Sequence, residues 1–506
     1  MKRSRGSFQI IAVVLTLIVV ITIVFFLIKA YHYFQKDDIA AYDIFIPETA
    51  MVLKCDNLHS VKELYASEAP YVSFLLSSDI QQQLHKFIGY METLPFMHTI
   101  IKSCPAYVSV CNKENKLFYV YVIETTKKYD KEISTFLSVL KKSHKAESFS
   151  YKKWEVFRLT LPSKAIYYCY TQGLLIGSFD ERTMYASLNQ IEHSDKTFSK
   201  KLKEVVQTVN ENTSFCLMIQ HAVLHSFLSK TNTTLIDANM LNYISLCSWS
   251  ALDISFKNSK IILSGYSLLD SSKKEYAFYT NKQAAFHYKD MLPQDIRSVL
   301  VLNGGSYSDF SSLYHVALGS QEDFFAMLQP NSMLSFQLNN KAGAEFILVQ
   351  SDDIDEAKFH LFNCLNSTYE NNSYILDTLY REAYMIGNID IPNFFLSKLQ
   401  LAPAIKRLKA YTSMDDCILF SDSDTNLIHY ISLLKEEAMI KNDSSFMILD
   451  AYFPKQTNFM YYKTIKPLFG PADAFTYLQS TLRAYRMQSA YYDDNKMYFT
   501  LVLDPK

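Results

Sequence analysis

An uncharged apolar run near the N-terminus places the strongest constraint on how this chain can fold. The run extends from Phe8 to Ile28. As a helix it would be about 31 Å long at 1.5 Å per residue, close to the thickness of a bilayer core. Lys2, Arg3 and Arg5 precede the run, and the positive-inside rule places such a segment in the cytoplasm. We therefore predict a cytoplasmic tail at 1–7 and a transmembrane signal anchor at 8–28.

The residues after the run favour an anchor that is not cleaved. No small-x-small pattern follows Ile28, and cleavable signals generally have shorter apolar cores. Tyr31, Tyr33 and Phe34, in a juxtamembrane segment at 29–45, would form an aromatic belt at the outer interface. The prediction is a single-pass protein of the inner (cytoplasmic) membrane, with a cytoplasmic N-terminus and the bulk of the chain in the periplasm.

Composition limits the classes of function open to the rest of the chain. Of the 506 residues, 49% are hydrophobic and 20% charged, values typical of folded domains rather than of disorder. Only 11 residues are glycine, which disfavours glycine-rich phosphate loops and dinucleotide-binding folds. Without Lys2, Arg3 and Arg5, the 50 basic residues become 47 against 51 acidic, a net charge of −4. A slightly acidic net charge does not attract phosphate backbones, so we predict no nucleic-acid partner.

Two stretches of the chain share an order of predicted elements. A proline-led apolar strand opens each stretch, Ile46 to Leu53 in the first and Leu292 to Leu300 in the second. A hairpin with a short polar turn follows in both, at 106–123 and at 333–349, and each hairpin leads into a predicted helix. This order indicates an internal duplication.

A pair of predicted helix starts supports the duplication. Each copy has an apolar strand that ends in a serine, Ser178 in the first and Ser421 in the second. Ser178 with Glu181 has the spacing of a capping box, and Ser421 with Asp424 is a weaker form of one. The order of strand, cap and amphipathic helix is therefore the same in both copies.

Two further matches lie near the ends of the copies. Residues 212–215 parallel 443–446, and a closing hairpin at 254–264 parallels another at 491–503. Strands, hairpins and helices in this order favour an antiparallel sheet with helices packed on one face. We predict an α+β fold in which the transmembrane helix is followed by two related units, at 46–270 and 291–506, joined by a connector at 271–290.

The organisation resembles a known group of proteins. A basic tail, a signal anchor, the strand that begins at Ile46 and Pro47, the strand from Leu174 to Ser178 and two related halves are similar to uncharacterised single-pass envelope proteins of Bacteroidetes-type bacteria, grouped under a domain of unknown function. The resemblance implies a cell-envelope location and this architecture. It supplies no catalytic residues.

Cysteine and histidine patterns give weak signals of chemistry. The eight cysteines include no C-x-x-C pair, so we predict buried free thiols rather than a zinc or redox motif. His221 and His225 have the spacing of two metal ligands on a helix, but Ala222 stands where a metalloprotease would need glutamate. We favour two partly exposed histidines over a metal site.

Acidic and tyrosine-rich segments also have simpler structural interpretations. Residues 422–426 copy the start of a calcium loop, but Leu427 and Leu433 occupy the positions that need glycine and glutamate. The acidic residues in 352–356 could act as general acids or bases, yet they precede a predicted helix whose N-terminus favours carboxylates. Paired tyrosines such as Tyr461 and Tyr462 favour strands, and exposed ones would suit a recognition surface.

No catalytic, cofactor-binding or metal-binding residue is therefore assigned from the sequence. We predict a non-catalytic binding or scaffold module of the cell envelope, attached to the membrane through residues 8–28, whose partner is an envelope protein, a polymer or a lipid-like ligand. One alternative is an extracytoplasmic hydrolase or transferase with a dispersed active site. Another is a hydrophobic-ligand carrier with a continuous apolar cavity between sheet and helices.

Overall fold

A computed structural model provides the structure of the chain. It describes residues 39–66, 88–89, 91–92, 97–113, 116–125, 129–142, 146–160, 165–192, 196–210, 213–228, 245–270, 272, 283–285, 288–304, 328, 330–339, 343–369, 378–381, 384–392, 405–465, 482–493 and 496–505. These residues form two compact units. Unit 1 takes its described residues from 39–45 and 120–194, and unit 2 takes them from 46–119 and 195–506.

The strands, in chain order, are β1 (Thr49–Cys55), β2 (Ala106–Lys113), β3 (Lys116–Glu124), β4 (Ala146–Tyr151), β5 (Trp154–Thr160), β6 (Ala165–Thr171), β7 (Leu174–Ser178), β8 (Phe215–Gln220), β9 (Cys247–Lys257), β10 (Lys260–Leu269), β11 (Ala284–Ala285), β12 (Ile296–Asn303), β13 (Pro330–Leu338), β14 (Glu345–Ser351), β15 (Thr378–Arg381), β16 (Tyr384–Pro392), β17 (Arg407–Met414), β18 (Cys417–Ser421), β19 (Gln456–Thr457), β20 (Phe459–Thr464), β21 (Leu482–Asp493) and β22 (Lys496–Pro505). The α-helices are α1 (Leu58–Ala66), α2 (Met97–Ser103), α3 (Asp130–Lys142), α4 (Glu181–Glu192), α5 (Lys196–Val206), α6 (His221–Leu228), α7 (Ile354–Tyr369), α8 (Asp424–Lys435) and α9 (Ser444–Asp450). Short 3₁₀ helices cover Ala41–Ile44, Tyr288–Asp290 and Ile440–Asn442.

Unit 1 is an antiparallel sheet with helices α3 and α4. Its strand order is β3-β7-β6-β5-β4, where β3 contributes from Val120 onward. Tyr168, Cys169 and Ile176 are fully buried, and α4 contributes the buried Met184 to the same unit. The apolar residues of neighbouring strands thus form the core of unit 1.

Unit 2 contains a longer antiparallel sheet. Its strand order is β2-β1-β8-β9-β10-β22-β21-β20-β12-β13-β14-β18-β17-β16-β15. Two-residue strands β11 and β19 form a separate pair. In the interior of the sheet, β10 pairs with β22, and Ser264 lies opposite Thr500. Strands far apart in the sequence are therefore neighbours there.

The order of strand pairing recurs along the chain. Strand β1 lies between β2 and β8, as β12 lies between β13 and β20. Strands β8, β9 and β10 pair in succession, as do β20, β21 and β22. One of the sequence matches is wrong, however, because Phe215 begins strand β8 whereas Ser444 begins helix α9.

The predicted α+β fold class is wrong. Antiparallel sheet dominates the part of the chain that the structure describes, with 50% of those residues in strands and 32% in helices. The sequence reading gave too little weight to strand length. We expected the first closing hairpin to begin at Ile254, but β9 already begins at Cys247 and continues for 11 residues. Long strands joined by short turns leave fewer residues for helices.

The expected transmembrane helix and signal anchor also require correction. Among the residues that the structure describes, no helix is both long and apolar enough to cross a membrane. The run at 8–28, the tail at 1–7 and most of the segment at 29–45 lie outside the described residues. The location in the cell envelope stays a prediction from the sequence.

Both predicted helix caps lie two residues further along than expected. The carboxylate of Asp180 accepts a hydrogen bond from the backbone N–H of Thr183, at 2.8 Å, before α4. The hydroxyl of Ser423 accepts one from the backbone N–H of Asn426, at 3.2 Å, at the start of α8. Ser178 and Ser421 are instead the buried last residues of β7 and β18.

Candidate functional site

The candidate site lies on one face of unit 2, where β10 and β22 pair. Side chains alternate along a strand, so Ile262, Ser264 and Tyr266 share one face of β10. Ile261 and Leu263 point to the other face and are buried. Ile262, Ser264 and Tyr266 are all partly exposed, and the face that they share forms the floor of a groove.

Strand β22 supplies the other half of the floor. In the antiparallel register, Tyr498 lies opposite Tyr266 and Thr500 lies opposite Ser264. The two tyrosine rings meet edge to face, with centroids 5.4 Å apart and planes at 76°. Thr500 is 5% exposed. The floor is therefore a row of hydroxyl groups beside a pair of aromatic rings.

The groove above this floor has a volume of about 510 Å³, within the range of small-ligand sites. Its lining comes from β9, β10, β21, β22 and the segment after α9. The lining residues are Lys257, Ile262, Ser264, Tyr266, Tyr452, Pro454, Ala490, Tyr498 and Thr500.

A buried glutamine fixes one wall of the groove. Gln488, on β21, is 2% exposed and lies opposite Thr500 in the sheet. Its Nε2 donates to the carbonyl oxygen of Pro454 at 2.8 Å and to that of Gln456 at 3.4 Å. Its Oε1 accepts from Nη2 of Arg486 at 3.1 Å. Because both ends of the amide are engaged, the segment at 454–456 is held against the sheet.

A buried charge cluster supports that glutamine. Arg486 is 2% exposed and donates from Nη1 to Oδ1 of Asp450 at 2.5 Å. Lys289 pairs with the other oxygen of the same carboxylate. The Arg486 guanidinium also lies over the ring of Phe453, 4.5 Å from its centroid, a cation–π arrangement. The cluster thus connects α9 to the strand below the wall.

The charges in this cluster shift one another's pKa values. Burial lowers the pKa of Arg486, and the Asp450 charge opposes that shift. Burial alone would raise the pKa of Asp450, but the hydrogen bond from Lys289 and the charge of Arg486 outweigh it, so that pKa is lowered. Asp450 therefore carries a negative charge at neutral pH.

A tight turn lies at the rim of the groove, next to Lys257. Asn258 and Ser259 connect β9 to β10 with φ values of 50° and 59°, the left-handed conformation of a two-residue hairpin turn. The Asn258 side chain donates to the hydroxyl of Tyr452 at 3.1 Å, which links the turn to the wall segment. Lys257 precedes the turn and is exposed.

The chemistry of the lining suits binding rather than proton transfer. Among the described residues that line the groove, five carry a hydroxyl group and one carries an amine, and none carries a carboxylate, imidazole or thiol. Hydroxyls donate and accept hydrogen bonds, and tyrosine faces pack against flat ligands. Asp253 lies opposite Ser264 on β9 but does not line the groove. Burial raises its pKa, and hydrogen bonds from the Asn210 backbone and Thr213 act in the opposite direction.

The two histidines weighed as metal ligands have different environments. The expected partial exposure is wrong for His221, which is buried with its Nε2 2.6 Å from Oγ of Ser250. Burial lowers the pKa of His221 to about 3. His225 is only partly buried. No group of three or more potential metal ligands occurs among the residues that the structure describes.

The prediction of buried free thiols is confirmed for seven of the eight cysteines. Cys55, Cys104, Cys111, Cys169, Cys216, Cys247 and Cys417 are all buried and unbridged. Burial raises the pKa of Cys55, Cys169 and Cys247 to about 12. These thiols are therefore protonated and unreactive at neutral pH. The side chain of Cys364 lies outside the described residues.

Both acidic segments lie at helix starts in the structure. Asp353 accepts from the backbone N–H of Glu356 at 3.0 Å, at the start of α7. In the sequence that copies a calcium loop, Asn426 donates to Asp422 at 2.8 Å, and Asp424 is already the first residue of α8. The Asp353 carboxylate therefore acts as a cap, whereas the cap of α8 is the Ser423 hydroxyl rather than an acidic side chain.

The paired tyrosines are mostly core residues. Tyr167 and Tyr168 are both buried, as are Tyr461 and Tyr462, so adjacent rings pack on both faces of their strands. The side chains of Tyr491 and its neighbour lie outside the described residues. Of the tyrosines that line the groove, Tyr266 and Tyr498 are single tyrosines within strands, and Tyr452 lies in the segment after α9.

Sequence reasoning missed the groove. The alternation of Ser264 with Tyr266, and of Tyr498 with Thr500, could have shown which residues share a face of each strand. It could not show that β10 and β22 pair, because the two strands are more than 200 residues apart. The hairpin at 254–264 was predicted, but the contact of its turn residue Asn258 with Tyr452 depends on the tertiary structure.

Comparisons with known proteins identify no family. No family model matches the chain, and no curated protein matches it. A solved structure, crystal form I of TP0453, is similar at 9% sequence identity and a TM-score of 0.24, covering 79% of this chain and 99% of that one. At this TM-score the likeness supports no inference about fold or function. The resemblance to Bacteroidetes-type envelope proteins stays a prediction.

Proposed function

We propose that this protein is a non-catalytic binding module whose ligand lies in the groove over β10 and β22. The observation that carries the proposal is the composition of the groove lining. It joins an aromatic pair, Tyr266 and Tyr498, to a row of hydroxyls, without a carboxylate or imidazole among the described lining residues. Such a surface can bind through packing and hydrogen bonds, but it offers no paired acid and base.

The rigid support of the groove favours the same function. Gln488, Arg486 and Asp450 form a buried chain of hydrogen bonds behind the wall at Pro454. A wall that is fixed before the ligand arrives reduces the entropy lost on binding. Pre-organisation of this kind is typical of a recognition site.

The packing in the second half of unit 2 disfavours the hydrophobic-carrier alternative. Phe336 and Phe346 stack at 4.9 Å between ring centroids, and both contact Tyr430 of α8. Leu427 and Ile431 from the same helix complete this buried cluster. Side chains therefore fill the space between the sheet and α8, where a carrier would need an apolar cavity.

The catalytic alternative would rest on Asp253. Its carboxylate lies near the groove face, and burial raises its pKa, as general acids often require. Its Oδ1 is buried without a hydrogen-bond partner among the described residues. If the protein is a hydrolase or transferase, Asp253→Asn should abolish turnover of the bound ligand. For a binding module, ligand recovered from wild type and from this variant should be chemically identical.

The binding proposal is tested with a variant that fills the groove. Ser264→Trp places an indole at the centre of the floor. Ser138→Trp makes the same change on the exposed face of α3 in unit 1 and serves as the matched control. Full-length wild type and both variants are purified from the native host under mild conditions, and native mass spectrometry identifies bound molecules.

We expect a ligand with wild type and with Ser138→Trp, and none with Ser264→Trp. Circular dichroism and the unfolding midpoint must show that Ser264→Trp is folded. If it is not, Ser264→Leu replaces it as a smaller obstruction. Equal ligand occupancy in a folded groove variant and in wild type would refute the proposal, as would the absence of any ligand from wild type.

A further inference from the structure

We infer that the ligand of this groove is an acidic saccharide chain, with a sugar carboxylate near Lys257. The inference rests on the proposed binding function and adds the chemical class of the ligand. It depends on three features of the groove: its aromatic pair, its hydroxyl row and its unbalanced positive charge.

The aromatic pair matches the apolar face of a sugar ring. Tyr266 and Tyr498 are partly buried and meet edge to face at 76°, so their rings do not cover each other as parallel stacked rings would. A pyranose ring has an apolar face of C–H groups, which can pack on an aromatic ring. Ala490 lies opposite Tyr498 on β21, and its small side chain leaves room beside the ring.

The hydroxyl row matches the polar edge of the same ligand. Ser264 and Thr500 lie opposite each other on adjacent strands, and Tyr452 lines the groove from its wall. Tyr452 already accepts a hydrogen bond from Asn258, which leaves its own proton to donate. Hydroxyls both donate and accept, so they complement the hydroxyls of a saccharide in either direction.

The charge at the rim adds a preference for an acid. Lys257 is exposed beside the groove, and no carboxylate among the described residues forms an ion pair with it. The next lysine, Lys260, is different, because it pairs with the buried carboxylate of Asp504. A ligand carboxylate would therefore meet one uncompensated cation at the rim.

The position of the groove in the sheet disfavours an extended peptide. Strand β10 pairs with β9 and β22, and β22 also pairs with β21. The backbone hydrogen-bonding groups of the floor are thus used within the sheet. A peptide that adds a strand needs a free sheet edge, whereas a saccharide can be recognised by side chains alone.

The test compares an acidic saccharide with its uncharged ester, and both with a peptide. Isothermal titration calorimetry with the full-length protein uses trigalacturonate, its trimethyl ester and a proline-rich decapeptide. The variants are Lys257→Gln, Tyr498→Ala and Tyr498→Phe, with Lys131→Gln on α3 as the control for loss of an exposed charge.

We expect wild type to bind trigalacturonate about fivefold more tightly than the ester, close to the limit for an exposed ion pair. Lys257→Gln should remove this preference, and Lys131→Gln should retain it. Tyr498→Ala should weaken binding of both saccharides about tenfold. Tyr498→Phe should restore most of that loss because it keeps the ring.

Three outcomes would overturn the inference: equal affinity for acid and ester in wild type, no saccharide binding, or binding of the decapeptide alone. A ligand that co-purifies with wild type but is displaced in Ser264→Trp would preserve the binding function even then. Co-purified ligand that is insensitive to Ser264→Trp would refute the binding function itself. The two failures are therefore distinguishable.

Discussion

The buried imidazole of His221 should make the stability of this protein sensitive to mild acid. His221 begins α6, and its Nε2 contacts Ser250, whose Oγ lies 2.5 Å from Oγ of Ser267. Its Nδ1 is buried without a hydrogen-bond partner among the described residues. A charged imidazole in this place would lose its hydration without gaining a counter-ion, and burial lowers the pKa to about 3.

The sign of the effect follows from proton binding. Below about pH 6.5 the unfolded chain binds a proton at His221, while the folded protein does not until about pH 3. Stability is therefore lost as the pH falls through this window. At about 1.4 kcal/mol per pH unit, the free energy of unfolding should fall by about 2 kcal/mol between pH 7 and pH 5 through this residue alone.

The assay uses the two tryptophans of the chain. Trp154 belongs to unit 1, and Trp249, on β9 of unit 2, is next to Ser250. In a Trp154→Phe background, the fluorescence of Trp249 reports the unfolding of unit 2. Urea titrations at pH 8, 7, 6 and 5 then give the free energy of unfolding of the full-length protein at each pH.

We expect His221→Asn to lower stability at pH 8, because it loses packing and alters a hydrogen bond, but to flatten the pH dependence by about 2 kcal/mol over the same window. Ser267→Ala is the matched control, since it shortens the same hydrogen-bond chain but keeps the imidazole. It should lower stability by a similar amount at each pH. If His221→Asn retains the full pH dependence of wild type, the reasoning is wrong.

Three further predictions concern packing, charge and capping, each measured by urea unfolding. Gly265→Ala places its Cβ 2.0 Å from a carbonyl oxygen of β9 and should lower stability by about 3 kcal/mol. The control Gly89→Ala has nothing within 4 Å of its Cβ and should change stability by less than about 1 kcal/mol, so equal effects of the two variants would contradict the clash. Asp450→Asn leaves a buried guanidinium without its carboxylate and should cost about 3 to 5 kcal/mol; a cost below about 1 kcal/mol would show that the cluster contributes little. Asp180→Ala removes the cap of α4 and should cost about 1 kcal/mol, whereas Asp180→Ser, which keeps an acceptor, should cost less than half of that.

Local features of the fold could be predicted where one strand or turn determines them. The hairpin at 333–349 was expected from its alternating apolar residues and polar turn, and it appears as β13 and β14. The prediction that Ser178 and Ser421 cap helices was wrong. It rested on the fact that both are small polar residues shortly before a predicted helix. Both are fully buried strand ends, which the sequence does not distinguish from caps.

The candidate site could not be predicted because its parts come from distant segments. The face of Tyr266 follows from strand alternation, but the identity of its neighbour does not. Tyr498 reaches it only through the pairing of β10 with β22. The wall at Pro454 depends in turn on Gln488 and on a charge cluster that spans residues 289 to 486. Each of these contacts depends on the tertiary structure and cannot be read from a local sequence pattern.

The pairing of β10 with β22 also delays part of the folding during synthesis, because the two strands are far apart in the sequence. Strand β10 is complete at Leu269, whereas β22 begins at Lys496, 227 residues later. At about 5 to 20 residues per second, a ribosome needs roughly 10 to 50 s to make that segment. Throughout this interval β10 lacks the partner that later satisfies one row of its backbone groups, and an unpaired strand edge is open to association with other chains. The nascent chain is therefore most vulnerable to misassembly at the same strand that later forms the floor of the groove.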